Sequence, residues 1–106
     1  MIEQELLTWM EAWFSTCCNG KWEHGSGIKI ETLDNPGWSV SIELAGTPYE
    51  RVSMPDFVVE RDDTDWVSCS IKDGVFRGFG GMENLKEILN LFKAVAGGYS
   101  DELLKK

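Results

Sequence analysis

Few side chains in this chain could do chemistry, and they are poorly grouped. The one histidine, His24, stands in Lys21-Trp22-Glu23-His24-Gly25. A general base needs a nucleophile or a substrate proton within reach, and a lone histidine is more often structural. Cys17 and Cys18 could carry a persulfide at the end of a helix. A helix C-terminus, however, raises a thiol's pKa and so works against activation. The run Gly78-Phe79-Gly80-Gly81 could cradle an anion between a strand and a helix. No Lys-Ser or Lys-Thr pair follows it, Glu83 occupies the would-be anion position, and a flexible strand-to-helix joint accounts for the glycines. Asp62, Asp63 and Asp65 lack the ligand spacing and the glycine of a calcium loop, so a solvated turn explains them. The residues therefore assign no catalytic group, no metal ligand and no cofactor, and the chain reads as a non-enzyme.

The elements that must position these residues follow from periodicity. Ile2, Leu6, Trp9, Met10, Trp13, Phe14 and Cys17 recur at three-to-four spacing, which predicts an amphipathic helix over about residues 2 to 17, stopped at Asn19-Gly20. Residues 28–32 and 38–44 alternate at period two around Asp34-Asn35-Pro36-Gly37 and predict a hairpin. Placing Ile28 and Ile30 on one face with Val40, Ile42 and Leu44 requires an odd loop or a bulge. A three-residue loop, Asn35 to Gly37, pairs Ile30 with Ile42. Phe57 to Glu60 predicts a third strand. Trp66 to Lys72 and Val75 to Phe79 flank Asp73-Gly74, a strong two-residue hairpin signal because both loop positions need positive φ. That loop sets Ile71 opposite Phe76 and Cys69 opposite Gly78, with Val67, Cys69, Ile71 and Phe76 facing the core. Leu85, Ile88, Leu89, Phe92 and Val95 predict a second helix over about 84 to 96, opened by an Asn84 and Glu87 capping box and closed by Gly97-Gly98. Ser100-Asp101-Glu102 could start one further short turn. The expected architecture is α+β: an N-terminal helix, about five antiparallel strands in a meander, and a C-terminal helix packed with the first on one face. The other face is left for solvent or a partner.

Five tryptophans need separate places. Trp9 and Trp13 fall on the apolar stripe, and Trp38 has the core-facing parity of Val40 and Ile42. Trp22 lies in a loop and Trp66 takes the sheet face opposite Val67. Flanked by acids, these two could anchor an interface, since tryptophan is enriched at binding hot spots. Equally, each could pack a loop back onto the core.

At 106 residues, with 42% hydrophobic and 11% aromatic residues, the chain has the size and composition of one folded domain over 1–106. Eighteen acids against ten bases give a net charge of −8. That charge repels a phosphate backbone, whose affinity comes from lysine and arginine, so DNA and RNA are not expected ligands. It keeps the chain soluble, and it also suits a basic protein partner. The N-terminus carries no basic residue ahead of an apolar run, and no stretch reaches the length of a membrane span. Three cysteines in no disulfide or metal-binding pattern fit reduced thiols. A cytoplasmic protein without a membrane partner is expected.

Trp22-Glu23-His24, Gly27-Ile28 and Ile30 are followed by Thr32-Leu33-Asp34-Asn35-Pro36-Gly37-Trp38, Val40 and Ile42. Together with Asp65-Trp66, Asp73-Gly74, Gly78 to Gly81 and Leu85, Glu87-Ile88-Leu89, this pattern resembles the immunity protein 53 family of bacterial polymorphic toxin systems. The resemblance spans roughly residues 5 to 95. One departure is Asn19-Gly20-Lys21, where members tend to be acidic before the tryptophan; if that loop touches the toxin, the change marks a different partner. The resemblance implies an antidote that binds and neutralises a cognate toxin domain made by the same cell or delivered by a sibling in contact-dependent inhibition. Many such toxins are nucleases with a basic nucleic-acid site, which an acidic inhibitor would cover. On this reading the toxin-facing residues are Trp22, Glu23, His24, Asp34, Asp62, Asp63, Asp65 and Trp66, carried by loops 19 to 26 and 34 to 38 and the acidic turn. Two other classes remain: a small enzyme of sulfurtransferase or hydrolase type built on Cys18 or His24, and a carrier of a small ligand between sheet and helices.

Overall fold

The computed structural model describes residues 2–25 and 27–104, with side-chain surroundings for 5–25 and 27–97. The side chains of Ile2, expected on the apolar stripe, and of Ser26, in the loop after it, lie outside that range. Helix α1 (Ile2–Cys17) is followed by a short 3-10 turn, Trp22–His24. Five strands follow: β1 (Ile28–Leu33), β2 (Gly37–Glu43), β3 (Met54–Glu60), β4 (Trp66–Lys72) and β5 (Val75–Gly80). Helix α2 (Leu85–Leu104) closes the chain. The fold is α+β, with both helices on one face of a five-stranded antiparallel sheet.

The strand order is β1-β2-β5-β4-β3, all neighbours antiparallel. The meander expected from sequence is therefore broken after β2. Residues 44–53 carry the chain to the far edge, and β5 returns to pair with β2. This order places Val40 and Ile42 beside Gly78 and Phe76, and Val67, Cys69 and Ile71 beyond them, on one buried face. The crossing segment is fastened by its own side chains: Leu44, Thr47, Tyr49 and Val52 are buried. Thr47 Oγ1 donates to the Leu44 carbonyl at 2.7 Å, and the Tyr49 ring lies 5.6 Å from that of Trp13.

The β1–β2 hairpin keeps the expected parity but not the expected partners. Ile30 faces Val40 and Ile28 faces Ile42, around a loop of Asp34, Asn35 and Pro36. A two-residue slip preserves every face, so alternation alone cannot distinguish the registers. Contact across β2 and β5 does, because Gly37 lies inside β2 and a Cβ there would strike the Gly80 carbonyl. The β4–β5 hairpin forms as its turn dictates, with Asp73 and Gly74 at φ of 55° and 76° and Ile71 opposite Phe76. Strand β3 begins three residues before its expected start and has an irregularity between Met54 and Phe57, where Pro55 interrupts an edge strand.

Leu6, Met10, Trp13 and Cys17 of α1 are buried, as is the Ile88, Leu89, Phe92 and Ala96 stripe of α2. Phe14, expected on the core stripe, is 41% exposed. Helix α2 runs through Gly97-Gly98 instead of ending there. Glycine is disfavoured inside a helix by only about 1 kcal/mol relative to alanine, so it weakens a helix without breaking it. Among the described residues no helix is long and apolar enough to cross a membrane.

Candidate functional site

The acids of the 61–65 turn are organised by the chain that carries them. Asp62 Oδ1 accepts the backbone N–H groups of Thr64 and Asp65, both at 2.8 Å, and the Thr64 hydroxyl at 3.0 Å. These bonds, those of Thr64 foremost, hold the Asp62 carboxyl below its usual range. Arg61 then ties the turn to α2. Its guanidinium donates to Asp65 at 2.8 Å and bidentately to Glu87 at 2.6 and 3.2 Å. Asn84, 5% exposed, donates from Nδ2 to both Asp65 and Glu87 at 3.0 Å and accepts the Trp66 N–H at 3.4 Å. Asn84 with Arg61 lowers the Asp65 carboxyl, Arg61 with Asn84 lowers that of Glu87, and the two carboxylates raise the arginine. Asn84 and Glu87 thus meet at the start of α2, but side chain to side chain and not as a capping box.

This network lies at the sheet end where the β1–β2 turn also closes. Trp38 donates its indole N–H to the Met82 carbonyl at 2.8 Å, joining the two loops. A pocket of about 350 Å³ opens there, lined by Thr64, Asp65, Met82, Glu83 and Asn84. Glu83 in its lining is exposed, as are Asp34, Asp62 and Asp63 in the two turns at this end of the sheet, and Met82 is 53% exposed. Trp66 is half-buried on the open sheet face, beside Glu60. Structure therefore sets Asp34, Asp62, Asp63, Asp65 and Trp66, of the residues singled out from sequence, at the same end of the sheet. Met82 and Glu83 join them, and Arg61, Asn84 and Glu87 fix the arrangement. Sequence could mark Asn84 and Glu87 only as a helix start; nothing local links them to Arg61, 23 residues before Asn84.

Trp22, Glu23 and His24 lie at the opposite end of the sheet, a strand length of about 20 Å away. Trp22, singled out as toxin-facing but equally open to packing its loop onto the core, is 6% exposed and does the latter. Its ring sits 5.8 Å from Trp13 and 5.5 Å from Phe14, and its N–H donates to the Glu43 carbonyl at 2.9 Å. The large apolar ring closes the core beneath the loop, with its one polar atom satisfied by the end of β2. Glu23 accepts the Asn19 and Gly20 N–H groups at 2.9 and 2.8 Å. Its own amide, then those of Asn19 and Gly20, hold its carboxyl below the usual range. Both residues shape the 19–24 loop, and His24 is exposed beside them. The acidic end and the 19–26 loop cannot form one continuous small patch.

The residues considered for chemistry also have definite places. Burial, then the neighbouring Cys18, pushes the Cys17 thiol up to about 11, and burial likewise raises Cys69 to about 11. Cys18 is exposed just after α1. Gly78 and Gly80 lie within β5 against α2. A Cβ at Gly78 would strike Ile88, and one at Gly81 would strike the Thr64 carbonyl. The Gly81 N–H donates to the Trp66 carbonyl at 3.2 Å. Close packing, not a loose joint, explains these glycines.

Searches among curated proteins and among solved structures found no match. A family model does match, over residues 7–97, and its description is immunity protein 53. That span takes in the five strands, the acidic turn and the packed glycines, so the chain belongs to the immunity protein 53 family, whose name gives it an immunity role.

Proposed function

We propose that this chain neutralises a cognate bacterial toxin domain by binding it stoichiometrically in the cytoplasm, with the acidic end of the sheet against a basic surface of the toxin. The observation that carries this is the placement of Asp34, Asp62, Asp63, Asp65 and Glu83 at the sheet end that also exposes Met82, with Trp66 at the margin. A field of one sign speeds encounter with the opposite sign, while an apolar contact within it supplies binding energy. Nucleases present basic sites of this kind, and blocking one requires no chemistry from the inhibitor. Trp22 and Glu23 serve the toxin contact only by holding the 19–24 loop, and His24 is at most a peripheral contact.

Co-expression with the toxin encoded beside this chain is the direct test. Growth restored together with a one-to-one complex supports the reading, and cell death in the presence of soluble antidote sinks it. The triple variant Asp34→Lys, Asp63→Lys, Glu83→Lys alters exposed side chains outside the Arg61 network, so it leaves the fold intact. It should bind toxin at least tenfold more weakly, the scale of losing several complementary charges. Undiminished affinity would move the interface elsewhere. Cys18→Ala should still protect, whereas an enzyme built on that thiol would lose protection.

A further inference from the structure

The two edges of the sheet are built differently. Strand β3 has Pro55, an Asp56–Lys72 ion pair at 3.1 Å and a broken register between Met54 and Phe57, features that discourage pairing with another strand. Strand β1 has an unbroken register from Ile28 to Leu33 against β2 and neither proline nor bulge. On its helix side runs an apolar groove of about 220 Å³ lined by Leu7, Phe14, Ile28 and Ile30 among others. Leu7, Phe14 and Ile30 are 59%, 41% and 44% exposed.

The backbone directions at this edge are determined. Glu43 N–H donates to the Gly27 carbonyl at 2.9 Å, which makes that opposed pair a hydrogen-bonded one. By alternation Lys29, Glu31 and Leu33 also bond inward to β2. Ile28, Ile30 and Thr32 then point their N–H and C=O groups out of the sheet. An antiparallel partner can be a second β1 only if the two-fold axis relates residues of matching direction. Centring on Lys29 or Glu31 sets like charges face to face, which is unfavourable. Centring on Ile30 pairs Ile30 with its copy and Ile28 with Thr32 in hydrogen-bonded positions. It also sets Lys29 opposite Glu31 twice, in the closer non-hydrogen-bonded positions. The β2 neighbours of these two charges are Ser41 and Ser39, small enough to leave both side chains able to reach across the edge.

We propose that two copies of this chain associate through antiparallel β1 edges centred on Ile30, forming a continuous ten-stranded sheet and joining their two apolar grooves. The proposal does not depend on the toxin reading and is tested on the toxin-free chain. Sedimentation equilibrium from low micromolar to near-millimolar concentration should show a reversible dimer. Lys29→Glu and Glu31→Lys should each weaken it about tenfold, because two attractive cross-strand pairs become repulsive. The double variant Lys29→Glu, Glu31→Lys restores opposite charges across the axis and should recover the dimer. A monomer at every concentration overturns the proposal, and so does a double variant no better than either single one. A monomer that loses toxin on Ile30→Lys also overturns it, assigning the edge to a toxin segment.

Discussion

The Trp22 indole fills the space between Trp13, Phe14 and the end of β2, and its N–H has the Glu43 carbonyl as acceptor. Trp22→Ala leaves both a void and an unpaired carbonyl, and should destabilise the fold by about 3–5 kcal/mol. A lowered urea midpoint with unchanged slope checks this, and any toxin binding lost in that variant reports unfolding. Arg61 makes a second residue-scale prediction. Asp65 and Glu87 have folded pKa values depressed by Asn84 and Arg61. Their contribution is therefore present above the ordinary carboxylate range and is lost as pH falls through the depressed values. Wild type and Arg61→Gln should differ most in denaturation midpoint near neutrality, and the difference should shrink below about pH 4. A gap that persists undiminished in acid would remove the network as its cause.

At the scale of elements, α2 and β5 show opposite uses of glycine. In α2, Gly97 has open space where a Cβ would stand and ordinary helical surroundings. Gly97→Ala should stabilise the protein by about 0.5–1 kcal/mol through lower unfolded-state entropy and better propensity, read as a higher denaturation midpoint. In β5, Gly78 faces Ile88 too closely for any side chain, and Cys69 Sγ is 3.3 Å from the position of the missing Cβ. Gly78→Ala should destabilise by about 1–3 kcal/mol, since it forces α2 away from the sheet. Equal effects at the two positions would contradict the packing described for β5 and α2.

For the whole molecule, charge and topology act together. Antiparallel alternation puts the 34–36 and 61–65 turns at one end beside the start of α2, and the order β1-β2-β5-β4-β3 sets their lateral spacing. Of the carboxylates at this end, Asp65 and Glu87 are tied to Arg61, while Asp34, Asp62, Asp63 and Glu83 stay exposed. For a basic toxin the association rate should fall steeply with added salt while the dissociation rate changes little. Stopped-flow mixing at several ionic strengths distinguishes this from an apolar interface, whose association rate would be nearly flat.

The sequence by itself determined α1, the β4–β5 hairpin with its register, the faces of the four hairpin strands and the family. These are encoded within a few residues, by three-to-four or period-two spacing and by the Asp73-Gly74 turn. Only the tertiary structure decided the pairing of β2 with β5, the two-residue shift of Ile30 to Val40 and the continuation of α2 past Gly97. It likewise decided that Trp22 fills the core while Trp66 stays half-buried on the open sheet face. The strand pairing and the place of Trp22 depend on contacts between residues far apart in the chain, where burying a shared face outweighs local preference. The candidate site was legible in the same measure: its acids could be named and antiparallel alternation assigns them to the two ends of the sheet, but their lateral spacing and the Arg61–Asn84–Glu87 ties follow from a strand order that no local pattern encodes.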